Sequence, residues 1–351
     1  MDRMIKTGFF AGLILLLTGC VSYTTVELDV LKPADTQFPV EIASVVVVDN
    51  AYPFRATDTT VHEVDLPDST FTIDTVWVDE FDSLAVQAMG EALEARQFFD
   101  SVHVAKKSFN TEEDGKPMRP LEASVVDSLC RHYNAQAVIS LDHYDYGTTL
   151  EVVAFYDNYM ATLDARSSTY WKIYDHVNGE LLDVQLQNDT IFWDYVERDI
   201  SRAVSGIPST REALKDAAVH AGERYAGYVA PTWTKEERVM FKQGHPLFPR
   251  AASLANRGEW EQAGRMWYHV YEENSGKVKA RAAFNLALSK EVLGEFREAA
   301  AWGYQALEEY EDLGSLAVSQ PEKETAKEFY LNLATRIQEK KKLDEQYGVD
   351  E

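Results

Sequence analysis

The sequence predicts an α+β protein, with an N-terminal α/β sandwich built on a mixed sheet and then an all-α helical array. Three observations carry this reading. Val45-Val46-Val47-Val48 is a continuous β-branched run, the pattern of a strand buried on both faces. Between 40 and 244, strand and helix patterns alternate and then give way to a stretch that is all strand. From 247 onward the β-branched strands disappear and an Ala-rich helical pattern repeats itself. The 351 residues, 45% hydrophobic and 26% charged, suit two or three such domains.

The first element is an address. Arg3 and Lys6 precede an apolar run from Gly8 to Leu17, which meets Leu17-Thr18-Gly19-Cys20. A basic start, a ten-residue apolar core and small residues at the cut describe a secretory signal; the run is too short to span a bilayer. A plain signal peptide or a short buried helix is the simpler alternative. The Leu-Thr-Gly-Cys ending resembles a bacterial lipobox, which implies cleavage between Gly19 and Cys20 and lipidation of Cys20. Residues 1–19 are then the leader and 20–39 the lipidated cysteine and tether, with a first strand. Val21-Ser22-Tyr23 lacks the acidic residue that would redirect sorting, so the periplasmic face of the outer membrane is the expected location.

Beyond the tether, residues 60–66 and 70–78 alternate around Pro67-Asp68-Ser69, a hairpin pattern. A helix follows from Asp82, a strand from Phe98 to Val104, and a polar loop from Lys106 to Pro120. Next come a helix (121–133) and a strand (135–144). Leu150, Val152 and Ala154 alternate up to a turn at Asp157-Asn158, and a long strand runs from Leu163 to Tyr174. Asn178-Gly179 reads as a type I′ turn into a strand from Leu181 to Trp193. Ser209-Thr210-Arg211-Glu212 is a capping box, opening a helix with Ala213, Ala217, Ala218 and Ala221 at close-packing positions. A last extended piece, Thr232 to Phe241, closes the domain. These patterns resemble the periplasmic α/β domains of CsgG-like and LpoB-like lipoproteins. The resemblance rests on Val45 to Val48, the helix and strand from Leu84 to Val104, the segment Tyr133 to Ile139, and the pair Tyr170 to Asn178 and Gly179 to Val184. In layout the whole chain also resembles a bacterial outer-membrane lipoprotein family, which implies no activity.

The remainder, 245–351, repeats at a 36-residue offset. Gly258-Glu259-Trp260-Glu261-Gln262-Ala263 matches Gly294-Glu295-Phe296-Arg297-Glu298-Ala299, and Leu286 and Ala306 flank the second copy. The pattern resembles tetratricopeptide repeats, in which Gly ends one helix, an aromatic fills the next groove and Ala lets paired helices approach. Ala283 and Lys290 stand where that family carries large aromatics, which puts its peptide binding in doubt here. A final helix from Glu322 to Tyr347 covers the stack. Two repeats are too few to stand alone, so the array is expected to dock on the α/β domain or on another chain.

The chemistry is sparse. Acidic residues number 58 against 34 basic, a net charge of −24, which excludes nucleic acid as a partner. Residues 1–19 carry a net +1, so the mature chain stands at −25, a body repelled by anionic headgroups and hanging from its lipid tether. None of the eight histidines has metal-ligand spacing, and Asp142-His143-Tyr144-Asp145 at a strand end offers two ligands at most. No phosphate-binding, dinucleotide or nucleophile-elbow motif occurs. No enzyme activity, cofactor or metal is therefore expected. Cys130 is expected to be buried and inert on the apolar face of its helix. Tyr170, Lys172 and Tyr174 share a strand face and are a candidate binding surface, unless helices simply cover them. The expected function is a lipid-anchored binding or scaffold protein meeting a periplasmic protein partner. The alternatives are an oligomeric CsgG-like export pore, against which His62, Glu63 and Asp65 spoil one of two required hairpins, and an envelope hydrolase. The sequence leaves the oligomeric state open.

Overall fold

The computed structural model describes residues 23–51, 60–66, 69–76, 81–105, 120–177, 179–314 and 317–349. The leader, Gly19 and Cys20 lie outside the described residues, as does nearly all of the polar loop after Ala105. The strands are β1 (Tyr23–Lys32), β2 (Ser44–Asp49), β3 (Thr60–Leu66), β4 (Ser69–Val76), β5 (Ser101–Val104), β6 (Ala137–Phe155), β7 (Asn158–Asp175), β8 (Leu181–Glu197) and β9 (Thr232–Phe241). The helices are α1 (Phe81–Arg96), α2 (Ala123–Tyr133), α3 (Ile200–Ser205), α4 (Thr210–Val229), α5 (Leu247–Ala255), α6 (Trp260–Glu273), α7 (Gly276–Val292), α8 (Phe296–Glu311) and α9 (Gln320–Gln346). The α+β class is as expected: a mixed sheet first, then helices. Two compact units divide the chain, one of residues 31–234 with 339–351 and one of residues up to 30 with 235–338.

The sheet unit holds five strands in the order β5-β2-β6-β7-β8. β2 runs parallel to both β5 and β6, while β6, β7 and β8 form an antiparallel meander. All four valines of the β-branched run are fully buried in the second-from-edge strand β2. Val45 and Val47 join the core beneath α1 and α4, and Val46 and Val48 meet Val126, Leu129 and Cys130 of α2. Burying each such side chain contributes about 1.5–3 kcal/mol. The capping box at Ser209 forms as expected and starts α4. The small face of α4 permits close packing: a Cβ on Gly222 would lie 2.2 Å from the Ala85 carbonyl oxygen of α1. Trp171 of β7 stacks on Tyr225 of α4 with centroids 4.6 Å apart.

Three details correct the sequence reading. The strands read at 135–144 and 150–154 are one strand, β6, whose 19 residues continue through Gly147. Residues 145–149 mimic a loop, but each pairs in the ladder with β7. The β6–β7 turn is Tyr156-Asp157, with Tyr156 left-handed at φ 54°, because Phe155 already pairs with Asn158. Between β7 and β8 the connection is five residues, not two, closed by the Asp175 N–H on the Glu180 carbonyl at 2.8 Å. The expected β3–β4 hairpin is present and antiparallel.

In the helical unit the 36-residue repeat has the same ending twice. Gly258 and Gly294 adopt φ 80° and 77°, and the following N–H groups of Glu259 and Glu295 bond back to Leu254 and Lys290 at 3.0 and 2.9 Å. That left-handed closure strains a residue with a Cβ, so glycine is favoured at both turns. Ala263, Leu286, Ala299 and Ala306 are buried as expected; Trp260 is buried and Phe296 half-buried under the Arg336 guanidinium at 4.8 Å. The core of these helices also takes Met240 and Phe241 from β9, with Val26 and Leu28 of β1 packed on it. Here β9 pairs with β1 in a separate two-stranded ribbon, rather than extending the main sheet.

Asn285 of α7 fastens the end of that ribbon. Fully buried, it accepts from the Phe241 N–H at 2.9 Å and donates to the Phe241 carbonyl at 2.7 Å, standing in for a neighbouring strand. Asn285→Leu keeps the volume but leaves two backbone groups buried without partners. At about 1–3 kcal/mol for each, a loss of roughly 2–6 kcal/mol is expected from urea unfolding. A loss below about 1 kcal/mol would show that water reaches Phe241.

Candidate functional site

Parallel strands of an open α/β sheet usually bind ligands beyond their carboxyl ends. At that position β2 ends in Asp49, opposite Leu141 of β6, and Asn50 follows. Asp142 occupies a bulge between Leu141 and His143, so it pairs with no residue of β7 and turns inward, fully buried. Its Oδ1 accepts from Asn50 Nδ2 at 3.0 Å and from Ser140 Oγ at 2.5 Å, and its Oδ2 lies 2.7 Å from Lys172 Nζ. Asp49 accepts from Ser83 Oγ at 3.1 Å and the Ala51 N–H at 3.0 Å. Both Asp142 oxygens are therefore engaged by the protein itself. The cluster is a buried polar pin between β2, β6 and β7, and its charges are compensated from within. His143 and Asp145 share a face as expected, and among the described residues no three His, Cys, Asp or Glu side chains gather to hold a metal ion.

This pin also decides the candidate surface on β7. Lys172 is 7% exposed and Tyr174 4% exposed; only Tyr170 is half-buried. Tyr174 packs with α2 residues, and its hydroxyl accepts from the Leu121 N–H at 3.3 Å. Burial first, and the Asp142 charge second, push that phenol well above its ordinary range. Tyr170, Lys172 and Tyr174 are thus not a free binding surface: the parallel half of the sheet is covered on both faces, and α2 takes this one.

Cys130 is buried on α2 as expected. Burial, and then the carboxylates of Asp127 and Asp175, push its thiol up to about 11. At pH 8 its alkylation is expected to be about a hundredfold slower in the native protein than in urea, from thiolate fraction alone. Equal rates in the two states would contradict the burial.

The open site lies on the helical unit. Between α6, α7 and α8 is a cleft of about 470 Å³ whose walls include Tyr268, Leu286, Lys290, Leu293 and Trp302. Its floor is built from small residues: Gly264 faces Ser289, whose Oγ donates to the Trp260 carbonyl at 2.9 Å. Trp302 stands edge-on to Tyr271 and Tyr268, with centroids 5.0 and 6.0 Å apart. Lys290 is held back by Glu295 and by Glu298 at 2.6 Å. The result is an aromatic corner beside a neutralised charge, with room left where bulk is missing. The 36-residue repeat pointed to these helices, but neither Tyr268 nor Trp302 stood out in the sequence, because the cleft depends on what Gly264 and Ser289 lack.

Residues 42–241 match the family described as Domain of unknown function (DUF8603), and residues 249–335 match that described as Domain of unknown function (DUF6340). No curated protein matches the chain. Among solved structures, a PelC dodecamer from Paraburkholderia phytofirmans is 12% identical, with 57% of this chain and 94% of that chain covered at a TM-score of 0.23. A Xanthomonas campestris protein of family DUF330 is 11% identical, with 56% and 92% covered at a TM-score of 0.25.

Proposed function

The chain belongs to the family described as Domain of unknown function DUF8603, and from that premise we propose that it is a binding and scaffold protein of the cell envelope. Lipid on Cys20 holds it at the periplasmic face of the outer membrane. The helix pairs α5–α6 and α7–α8 act as tetratricopeptide-like repeats that grip a segment of a partner protein. One observation carries this reading: the cleft of about 470 Å³ with Trp302 and Tyr268 on its walls. Binding sites fall in that size range, and aromatic anchors in partly desolvated clefts supply most of the energy of protein contacts. The local ion pairs leave no isolated charge for a small anion, so apolar and aromatic side chains of an extended segment are the chemistry the cleft selects.

The test places a photoreactive amino acid at exposed Glu261, on the cleft rim, in the full-length protein in its native envelope. A partner protein should crosslink there. Trp302→Ala should cut that yield at least about tenfold, as loss of an aromatic anchor worth 2 kcal/mol or more implies, with the circular dichroism unchanged. A yield unaffected by Trp302→Ala, or no partner above a Cys20→Ala control, sinks the proposal.

A further inference from the structure

Along the meander, β8 is the last strand, and its outer side has no neighbour among the described residues. Its 17 residues make an edge about three times the usual strand length. Every second residue of an edge strand points its N–H and C=O outward, so about eight residues of β8 offer unpaired backbone. Native sheets blunt such edges with Lys, Pro, bulges or a covering element. β8 contains no Lys, Arg or Pro, and its only register shift with β7 falls at its first residues, opposite Ile173 and Tyr174. Two of its carboxylates face inward and are met from within: Asp189 is paired with Arg224 of α4, and Asp183, opposite buried Ile173, accepts from Thr36 Oγ1 at 3.5 Å.

Side chains on this strand favour contact over solvation. Leu186 and Phe192 are 51% and 66% exposed, and Val184 and Val196 are exposed on the same face. Val196 continues across the sheet to Met160 and exposed Val153, an apolar row of three strands. The charges are of one sign. Asp194 is exposed on the Leu186 and Phe192 face, Glu197 is half-buried at the strand's end, and no cation of β8 accompanies them. Two copies of β8 laid edge to edge would bring charges of one sign to the seam and no cation to offset them, which disfavours the pairing.

The geometry points to β8 as the docking edge for an extended segment of another protein in which Lys or Arg alternates with apolar residues. Backbone bonds to the edge would give affinity. The Leu186 and Phe192 strip and the Asp194 carboxylate would choose the sequence, as in other cases of strand addition. This surface is built by the sheet unit alone and does not depend on the helical cleft.

The test is hydrogen exchange on the full-length protein, alone and with synthetic peptides of about twelve residues, long enough to pair with most of β8. One peptide alternates Val with Lys, the other Val with Glu. The Lys peptide should slow exchange of the 184–194 amides at least about tenfold, and the Glu peptide should not. Asp194→Lys should weaken the Lys peptide at least about fivefold, whereas Trp302→Ala should leave it unchanged. Three results overturn the inference: no protection of β8, equal protection by both peptides, or amides already protected in the protein alone and released on dilution. The last would mean a second copy occupies the edge. A failure here with Trp302-dependent crosslinking intact would remove only the β8 surface, and the reverse would remove only the cleft.

Discussion

Asp142→Ala is expected to lower the stability of the sheet unit by about 3–5 kcal/mol, the largest single effect in that unit, because it strands the buried Lys172 ammonium without a counter-charge. The same change removes the acceptor to which Asn50 Nδ2 and Ser140 Oγ both donate. Lys172→Met should cost less than Asp142→Ala. It leaves an anion, but one that still accepts two hydrogen bonds. The double variant Asp142→Ala with Lys172→Met removes both charges and should recover part of the single-variant loss, since apolar replacement of a buried pair is often neutral or better. Recovery will be incomplete, because Asn50 and Ser140 still lack their acceptor. Urea unfolding of the four proteins reads this cycle; strictly additive losses would mean that Asp142 and Lys172 do not interact.

Much of this arrangement was legible before any coordinates. The run Val45 to Val48 can be buried on both faces only if helices lie on either side, and they do. Gly258 and Gly294, 36 residues apart, mark two equal helix endings because only glycine takes that backbone without strain. Ser209 and Glu212 mark the start of α4 by a local bond that needs no tertiary context. What escaped was set by distant partners. Alternation correctly placed Tyr170, Lys172 and Tyr174 on one face, but periodicity does not say which face α2 covers. Likewise the alternation of β9 is the same whether it joins the main sheet or pairs with β1 some two hundred residues earlier in the chain. The bulge at Asp142 left no sequence signal beyond a polar residue in a strand, and that residue is where the buried ion pair forms.

Glu322→Gln should produce the corresponding loss in the helical unit, and it carries a pH signature. Glu322, in the first turn of α9, accepts Arg281 through two bonds of 2.7 and 2.9 Å. Lys277 Nζ lies at 2.9 Å and the Tyr310 hydroxyl donates at 3.0 Å. Arg281 also donates to the Gln243 carbonyl at 3.0 Å and lies 4.8 Å over the Phe241 ring, so one carboxylate ties α9 to α7, α8 and the end of β9. Burial pulls the Glu322 carboxyl up, but the bonds from Arg281 and Lys277 outweigh it and hold it below its ordinary value of 4.5. A carboxylate depressed in the folded state contributes stability above about pH 4.5 and loses it as the pH falls through its folded value. The amide in Glu322→Gln cannot titrate. It should cost about 3–5 kcal/mol at pH 7, where the bonds from Arg281 to the carboxylate are lost, and progressively less as the pH falls through the folded value of Glu322. The two stability profiles should therefore converge on the acid side. Profiles that stay parallel from pH 7 to pH 3 would show that Glu322 acts through its shape and hydrogen bonds, not through its charge.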